Sequence, residues 1–353
     1  MNSGRLLHRV DTAESLPEYE APAARPKVFI TWYPYCRRSE ALAKQIGARS
    51  YLVHYLRFKV PWLAPIKYVL QTIRTLQILL ADRPSLVLVA NPPVVAPLVV
   101  WAGSWLLGYR FIIDAHSGAF QHSLWSWSLP IQRRLARRAV ATVVTNEHLA
   151  EIVRSWGARA EMVQDLALDL EPAGPASRRT GFHVVHVCTF SVDEPVEAVA
   201  EAARRLPEVS FSFTGDSSCA PRGFRRILPP NVRLTGFLPD AEYLALLRGA
   251  DAVLVLTRED HTMQRGGYEA MALEKPLITS SWPLLRQVFS RGTIHVDNTS
   301  EAIVAAICAA RKDLPLLRRE MGKLRRERGH VSADQVGNLR TLCDMSEERG
   351  RVA

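Results

Sequence analysis

The chain has 353 residues, 48% of them hydrophobic and 23% charged. That composition excludes collagen-like, low-complexity and wholly disordered classes, and at roughly 100 to 200 residues per domain the length predicts two cores. The formal net charge of +10 is one-sided, because residues 21–150 carry 16 Lys or Arg against four acids, so the N-terminal half suits an anionic partner.

In chain order, residues 1–26 scatter Asp11, Glu14, Glu18 and Glu20 among Pro and Ala, which predicts a disordered tail without the apolar run of a signal peptide. Lys27 to Trp32 reads as a buried strand and Ser39 to Ile46 as the helix after it, the opening of a βα unit. Arg37 and Arg38 open that helix, either as contacts to a phosphate of donor or acceptor or as a solvated pair. Ile66 to Leu80 has helical spacing with Lys67 and Arg74 off the apolar stripe, and Ser85 to Ala90 is the next strand. The turn Asn91-Pro92-Pro93 leads into a helix ending near Leu107, followed by strands at Arg110 to Asp114 and Thr142 to Thr145.

Ser85 to Tyr109 holds no charge over 25 positions, long enough for a membrane span. Its three prolines and Asn91 favour strand, turn and helix instead, with a partly embedded helix as the alternative. Trp62, Trp101, Trp105, Trp125 and Trp127 are either core residues or marks of a membrane-facing surface. Arg133, Arg134, Arg137 and Arg138 form one basic helical face, solvated or attracted to a membrane. Basic residues interleaved with Trp, Tyr and Leu favour an anionic membrane or lipid phosphate, and no nucleic-acid motif is present.

Glu171 to Thr180 (EPAGPASRRT) is the linker. Beyond it the alternation repeats, with strands at Phe182 to Cys188, Ser210 to Thr214, Val232 to Thr235, Ala252 to Leu256, Pro276 to Thr279 and Thr293 to Val296. Helices at Pro195 to Leu206, Asp240 to Gly249, Arg265 to Leu273 and Glu301 to Ala310 separate them. The expected architecture is α/β, with two Rossmann-like domains at 27–170 and 181–312 whose parallel sheets face across a cleft. C-terminal helices at 313–345 and a polar tail at 346–353 complete it. Cys36, Cys188, Cys219, Cys308 and Cys343 form no CxxC pair, which suggests neither disulfides nor zinc and fits a reducing cytoplasm. The histidines show no metal spacing.

The most informative stretch runs from strand Gly249–Thr257 through Arg258–Gln264 to a helix opening Arg265-Gly266-Gly267-Tyr268-Glu269. Backbone amides at such a helix start can receive a phosphate, with glycines permitting close approach. Arg265 adds fixed positive charge, and Glu269 could accept hydrogen bonds from the vicinal hydroxyls of a ribose.

This stretch resembles the donor-site signature of GT-B glycosyltransferases of group 1 (family 4), the large retaining family typified by sucrose and mannosyl transferases. That signature runs Glu, seven residues, Glu-Ala-Met-Ala and a Pro-led strand, and Glu269-Ala270-Met271-Ala272 and Pro276 match it. The order Leu234-Thr235-Gly236-Phe237-Leu238-Pro239, Tyr243-Leu244, then the Gly249 strand matches as well. The resemblance implies that Gly236 and Phe237 frame a nucleobase and that the C-terminal helices pack back across the N-terminal domain. His261 stands where the family's first Glu touches the transferred sugar, and the family's Arg and Lys are absent from Thr189 to Glu194. Arg265 is the expected substitute cation, His261 the expected sugar contact, and Gln264 is counted with the donor site.

Asn91-Pro92-Pro93 with Gly108 to His116 is similar to the eukaryotic β-1,4-mannosyltransferase acting on dolichol-linked chitobiose, which implies inversion and a lipid-linked acceptor. Asp114 and His116 lie two apart at a strand end, so both face the interdomain cleft in an extended backbone. Either has the chemistry of a base, or Asp114 orients His116, or the Asp merely caps Ser117 and Gly118.

The expected function is therefore glycosyl transfer from a UDP- or GDP-type nucleotide sugar, with no cofactor and no metal, to a polyprenyl-linked or cell-envelope glycan acceptor. The expected location is cytoplasmic, at the inner face of the plasma membrane. The alternatives are a nucleotide-sugar 2-epimerase, or a non-catalytic donor-binding partner of another transferase.

Overall fold

The computed structural model describes residues 25–56, 61–121, 123–164 and 181–351. The linker at 171–180 and nearly all of the 1–26 tail lie outside the described residues. The N-terminal unit runs β1 (Lys27–Thr31), α1 (Arg37–Ile46), β2 (Ala48–Leu52), α2 (Ala64–Asp82), β3 (Leu86–Asn91), α3 (Val95–Leu107), β4 (Arg110–Ala115), α4 (Ser117–Gln121), α5 (Leu129–Ala136), β5 (Thr142–Val144), α6 (Glu147–Ser155) and β6 (Ala160–Met162). The C-terminal unit runs β7 (Phe182–His186), α7 (Val196–Arg204), β8 (Val209–Thr214), α8 (Phe224–Ile227), β9 (Val232–Gly236), α9 (Asp240–Arg248), β10 (Ala252–Val255), α10 (Arg265–Ala272), β11 (Leu277–Ser280), α11 (Pro283–Val288), β12 (Thr293–Val296) and α12 (Ser300–Lys312), before a long α13 (Leu314–Arg351).

Two six-stranded sheets result, ordered β2-β1-β3-β4-β5-β6 and β12-β11-β10-β7-β8-β9, with parallel pairing throughout. Their central strands read as unbroken apolar runs because helices cover both faces: Val28 to Ile30, Leu86 to Ala90 and Ala252 to Leu254 are all fully buried. Strand order reverses between β1 and β3 in one sheet and between β7 and β10 in the other. Such reversals open a crevice at the carboxyl ends of the strands, where ligands of this architecture bind.

β2 and β6 have no counterpart in the sequence reading. Each is an edge strand of its sheet, Ala48–Leu52 and Ala160–Met162 are only partly buried, and so neither carries an apolar run. The charge-free Ser85–Tyr109 stretch folds as β3, a turn and the 13-residue α3. Among the described residues no helix is long and apolar enough to cross a membrane.

The C-terminal segment corrects the expectation of several helices and a polar tail, because α13 is one 38-residue helix that runs through residue 351. Met321 and Leu324 belong to the core of the C-terminal unit, whereas Leu339, Leu342 and Cys343 pack with Phe29, Leu42 and Ile112 of the N-terminal one. Lys27 pairs with Asp344 and Ser346 is buried. One helix thus contributes to two cores, which spaces its apolar residues too sparsely for a single-core pattern.

Candidate active site

A cavity of about 490 Å3 lies between the carboxyl ends of the two sheets. Tyr35, Cys36, Arg37 and Arg38 reach it from the end of β1 and the start of α1, and His116 from the end of β4. Val187, Cys188 and Thr189 follow β7 on the opposite wall, with Thr214 and Gly215 after β8, Phe237 and Leu238 after β9, and Arg265, Gly266 and Glu269 on α10. Gly215 has φ +87, and a Cβ there would fall 2.3 Å from the Cys188 carbonyl oxygen. Gly215→Ala is therefore expected to cost at least about 2 kcal/mol of stability, read as a lowered Tm in thermal unfolding.

Asp114 and Arg38 depart from the roles the sequence offered them. Asp114 is fully buried and Arg38 is 5% exposed; Arg38 Nη2 lies 3.2 Å from Asp114 Oδ1 and donates to the Val163 carbonyl at 2.9 Å. Burial pushes the Asp114 carboxyl up, but the Arg38 guanidinium and then His116 outweigh it and hold the group well below the usual carboxylate range. Arg38 is thus the counter-ion of a buried carboxylate rather than one of a solvated pair, and Asp114 has no exposed surface from which to act as a base. Its Oδ2 lies 3.5 Å from Nε2 of His116, an ion-pair distance, and His116 keeps 30% of its side chain exposed at the cavity.

Adjacent residues on a helix point about 100° apart, and Arg38 shares its face with buried Leu42 and Ile46 while Arg37 turns to the cleft. Arg37 Nη1 lies 3.2 Å from Oε1 of Glu269 and the guanidinium also pairs with Asp240, so it bridges the two units. Glu269, 4% exposed at its side chain, further accepts from Arg265 Nε at 3.1 Å and from the Tyr243 hydroxyl. Tyr35 adds a 2.8 Å hydrogen bond to Asp240 across the cleft. Arg265 Nη2 is buried beside the cavity without a hydrogen-bond partner among the described residues.

The glycines of α10 do different work from the close phosphate approach expected of both. A Cβ on Gly266 would meet Val187 at 2.9 Å, and one on Gly267 would meet Phe289 at 2.6 Å, so both let α10 pack tightly. The Gly267 N–H already donates to the Gln264 carbonyl at 3.1 Å, and Gly267 does not line the cavity formed by the described residues. Gln264 is also absent from that wall, because its Nε2 donates to the Leu256 carbonyl at 2.8 Å and ties the loop to β10.

His261 is not brought to the cavity wall either. It sits at φ +56 with its ring stacked on His148 of α6, centroids 3.9 Å apart, and its carbonyl accepting from Asn146. The expected sugar contact is thus a second bridge between the units, a role invisible in sequence because its partner lies 113 positions away. Phe237 lines the cavity and is 80% exposed, whereas Gly236, at φ +74, turns the chain before it without joining the wall.

Glu194, Tyr35 and Asp240 were missed, and Tyr243 was read only as part of the signature's order and not as a partner of Glu269. Glu194 accepts from the Thr189 and Ser191 amides at 2.8 and 3.0 Å, filling the loop after β7 from which the family's cations are absent. An acid eight residues after the end of β7 was the available signal. Tyr35 and Asp240 carried none, since each is defined only by its partner in the other unit.

Two facing parallel α/β units with a cavity at their strand ends define the GT-B class. Residues 15–164 match the family model described as Glycosyl transferase 4-like domain, and residues 194–343 the model described as Glycosyl transferase-like. Sucrose-phosphate synthase of Thermosynechococcus elongatus is similar at TM-score 0.71 and 14% identity, over 91% of this chain and 99% of that one. HepE of Anabaena, solved with UDP and glucose, is similar at TM-score 0.65 and 14% identity, over 90% and 100%. A glycosyltransferase of Rickettsia africae is similar at TM-score 0.60 and 11% identity, over 93% and 97%. At these identities the likeness to solved structures is one of fold. No curated protein matches the chain in sequence. The chain belongs to the group 1 glycosyltransferases of GT-B fold and is a sugar transferase, as the donor-site signature led one to expect.

Proposed function

We propose that the protein transfers a sugar, with inversion and without a metal, from a UDP- or GDP-sugar to a hydroxyl of a polyprenyl-linked or cell-envelope glycan. The reaction takes place at the cytoplasmic face of the plasma membrane, with the enzyme held peripherally on anionic lipid. The observation that carries this reading is that His116 of one unit and Arg265, Gly266 and Glu269 of the other line a single cavity. Nε2 of His116 is buried against Asp114, which leaves Nδ1 for proton transfer. The acceptor oxygen attacks the anomeric carbon, its proton passes to His116 Nδ1, and the bond from that carbon to the diphosphate breaks. Arg265, whose Nη2 has no other partner among the described residues, receives the departing charge with the start of α10. Glu269 exchanges its Arg37 and Tyr243 contacts for the ribose hydroxyls.

A thermal-shift panel of UDP, GDP, dTDP and ADP sugars on the wild type and on Glu269→Ala tests the donor site. A ligand at 100 times its Kd should stabilise the wild type by about 2.7 kcal/mol, with one nucleotide preferred and the shift weakened in the variant. No shift with any nucleotide would sink the reading. Turnover of donor without acceptor would instead mark a 2-epimerase, and donor binding without any turnover a non-catalytic partner of another transferase.

A further inference from the structure

α2 is built inside out over Ile66 to Thr75, whereas Ile78 and Leu79 near its end join the core. Its polar Gln71 and Thr75 are buried: Gln71 Nε2 donates to the Val53 carbonyl at 2.7 Å, and Thr75 Oγ1 accepts from the Trp32 indole at 2.9 Å. Its apolar Ile66, Val69, Ile73 and Leu80 are 49 to 60% exposed, at the spacing of one helical face, and Trp62 just before the helix is 76% exposed. A helix that meets only water shows the reverse pattern. α3 packs beside α2 and continues the surface with Leu98, Trp105 and Leu106, the last 84% exposed. A contiguous apolar face on this scale marks an interaction site.

Charge selects the occupant. Between residues 41 and 146 the only acids are Asp82 and Asp114; Asp114 is buried, and Asp82 is bonded to Tyr51 at 2.8 Å. α5, which packs against α3, exposes Arg133 and Arg134, the turn after it exposes Arg137 and Arg138 beside Trp156, and none of the four is in an ion pair among the described residues. A second copy meeting this face about a two-fold axis would set arginine against arginine. Anionic lipid headgroups complement it, and Trp at the ends of apolar helices is the arrangement favoured at a bilayer surface.

The geometry points to α2 and α3 as a membrane-docking face that lies flat on an anionic bilayer, apolar stripe in the acyl boundary and α5 arginines on the headgroups. Ile66 to Leu80 spans about 21 Å along the helix, so the segment rests on the surface and does not cross it. Because α2 and α5 each lead back from the carboxyl edge of the sheet, Trp62 just before α2 and the exposed Trp127 just before α5 sit at the edge that bears His116. The docked plane therefore reaches the mouth of the cavity. The inference rests on the proposed lipid-linked acceptor for its purpose, and on the surface alone for its evidence.

Flotation of the full chain with phosphatidylcholine vesicles, with and without phosphatidylglycerol, tests it. The wild type is expected to float with the anionic vesicles at least about tenfold better than with the neutral ones, and less as salt is raised. Val69→Gln/Ile73→Gln and Arg133→Gln/Arg134→Gln should each lower that partition by about tenfold or more. All four side chains are exposed, so unfolding temperature and nucleotide-induced shift should stay as in the wild type. A wild type that ignores anionic vesicles would overturn the proposal, as would unchanged partition in the apolar variant. A dimer in ultracentrifugation that this variant converts to monomer would give the face to a second copy instead. Flotation that persists when no nucleotide shifts the melting temperature upholds the docking face and removes the transferase reading alone.

Discussion

His116→Ala is expected to lower kcat by about 10²- to 10⁴-fold, the range over which a positioned general base contributes, while leaving the nucleotide-induced thermal shift unchanged. His116 is the one titratable group that reaches the cavity from β4, since Asp114 behind it is fully buried and already paired with Arg38. In the proposed mechanism the donor lies against α10, so deleting the imidazole would remove the proton acceptor without touching the residues proposed to hold the nucleotide. Steady-state turnover with donor and acceptor, set beside the shift measurement, separates the two. An equal fall in donor affinity would mean that His116 serves binding, and unaltered kcat would mean that the base lies elsewhere.

The second large effect falls on stability. Arg38→Met removes the counter-ion of a carboxylate with no exposed surface, and breaking a buried pair from one side costs about 3 to 5 kcal/mol. The pH dependence should change sign with it. In the wild type the Asp114 carboxyl is held below its unfolded value, so its contribution is present above about pH 4 and lost as pH falls below that. Without the guanidinium, burial is opposed by His116 alone and is expected to raise the carboxyl above its unfolded value. Folding then favours the protonated form, and the deficit of Arg38→Met should shrink as pH is lowered from 7.5 to 5. Denaturant unfolding at the two values measures this, and a constant deficit would show that the pair is not what the substitution removes.

Much of the α10 wall of the cavity was legible because it is local. Arg265 and Glu269 are one turn apart on a helix that starts after a strand, so their shared side of α10 follows from helical geometry. His116 was legible for the same reason, at the end of a buried apolar run. The failures share a different cause. Whether His261 meets a sugar or His148 depends on an element 113 residues away, and whether Gln264 faces the cavity depends on which carbonyl at the end of β10 is left without a partner. Both glycines of α10 were legible as sites of close approach, but Val187 and Phe289, which approach them, were not.

What the sequence by itself determined is the alternation of apolar strand runs with amphipathic segments, hence two parallel sheets, and the motif residues at the strand ends where such sheets bind ligands. Tertiary structure alone decided the direction of side chains whose partners lie across the cleft. It turned Arg38 inward to Asp114 and Arg37 outward to Glu269, although the two are neighbours in the chain. It also buried Gln71 and Thr75 while leaving Ile66, Val69 and Ile73 outside. Periodicity reports that a helix has two faces, but it assigns the inner one by polarity. Where specific hydrogen bonds to Trp32 and Val53 hold the Gln71 amide nitrogen and the Thr75 hydroxyl within the fold, that assignment reverses.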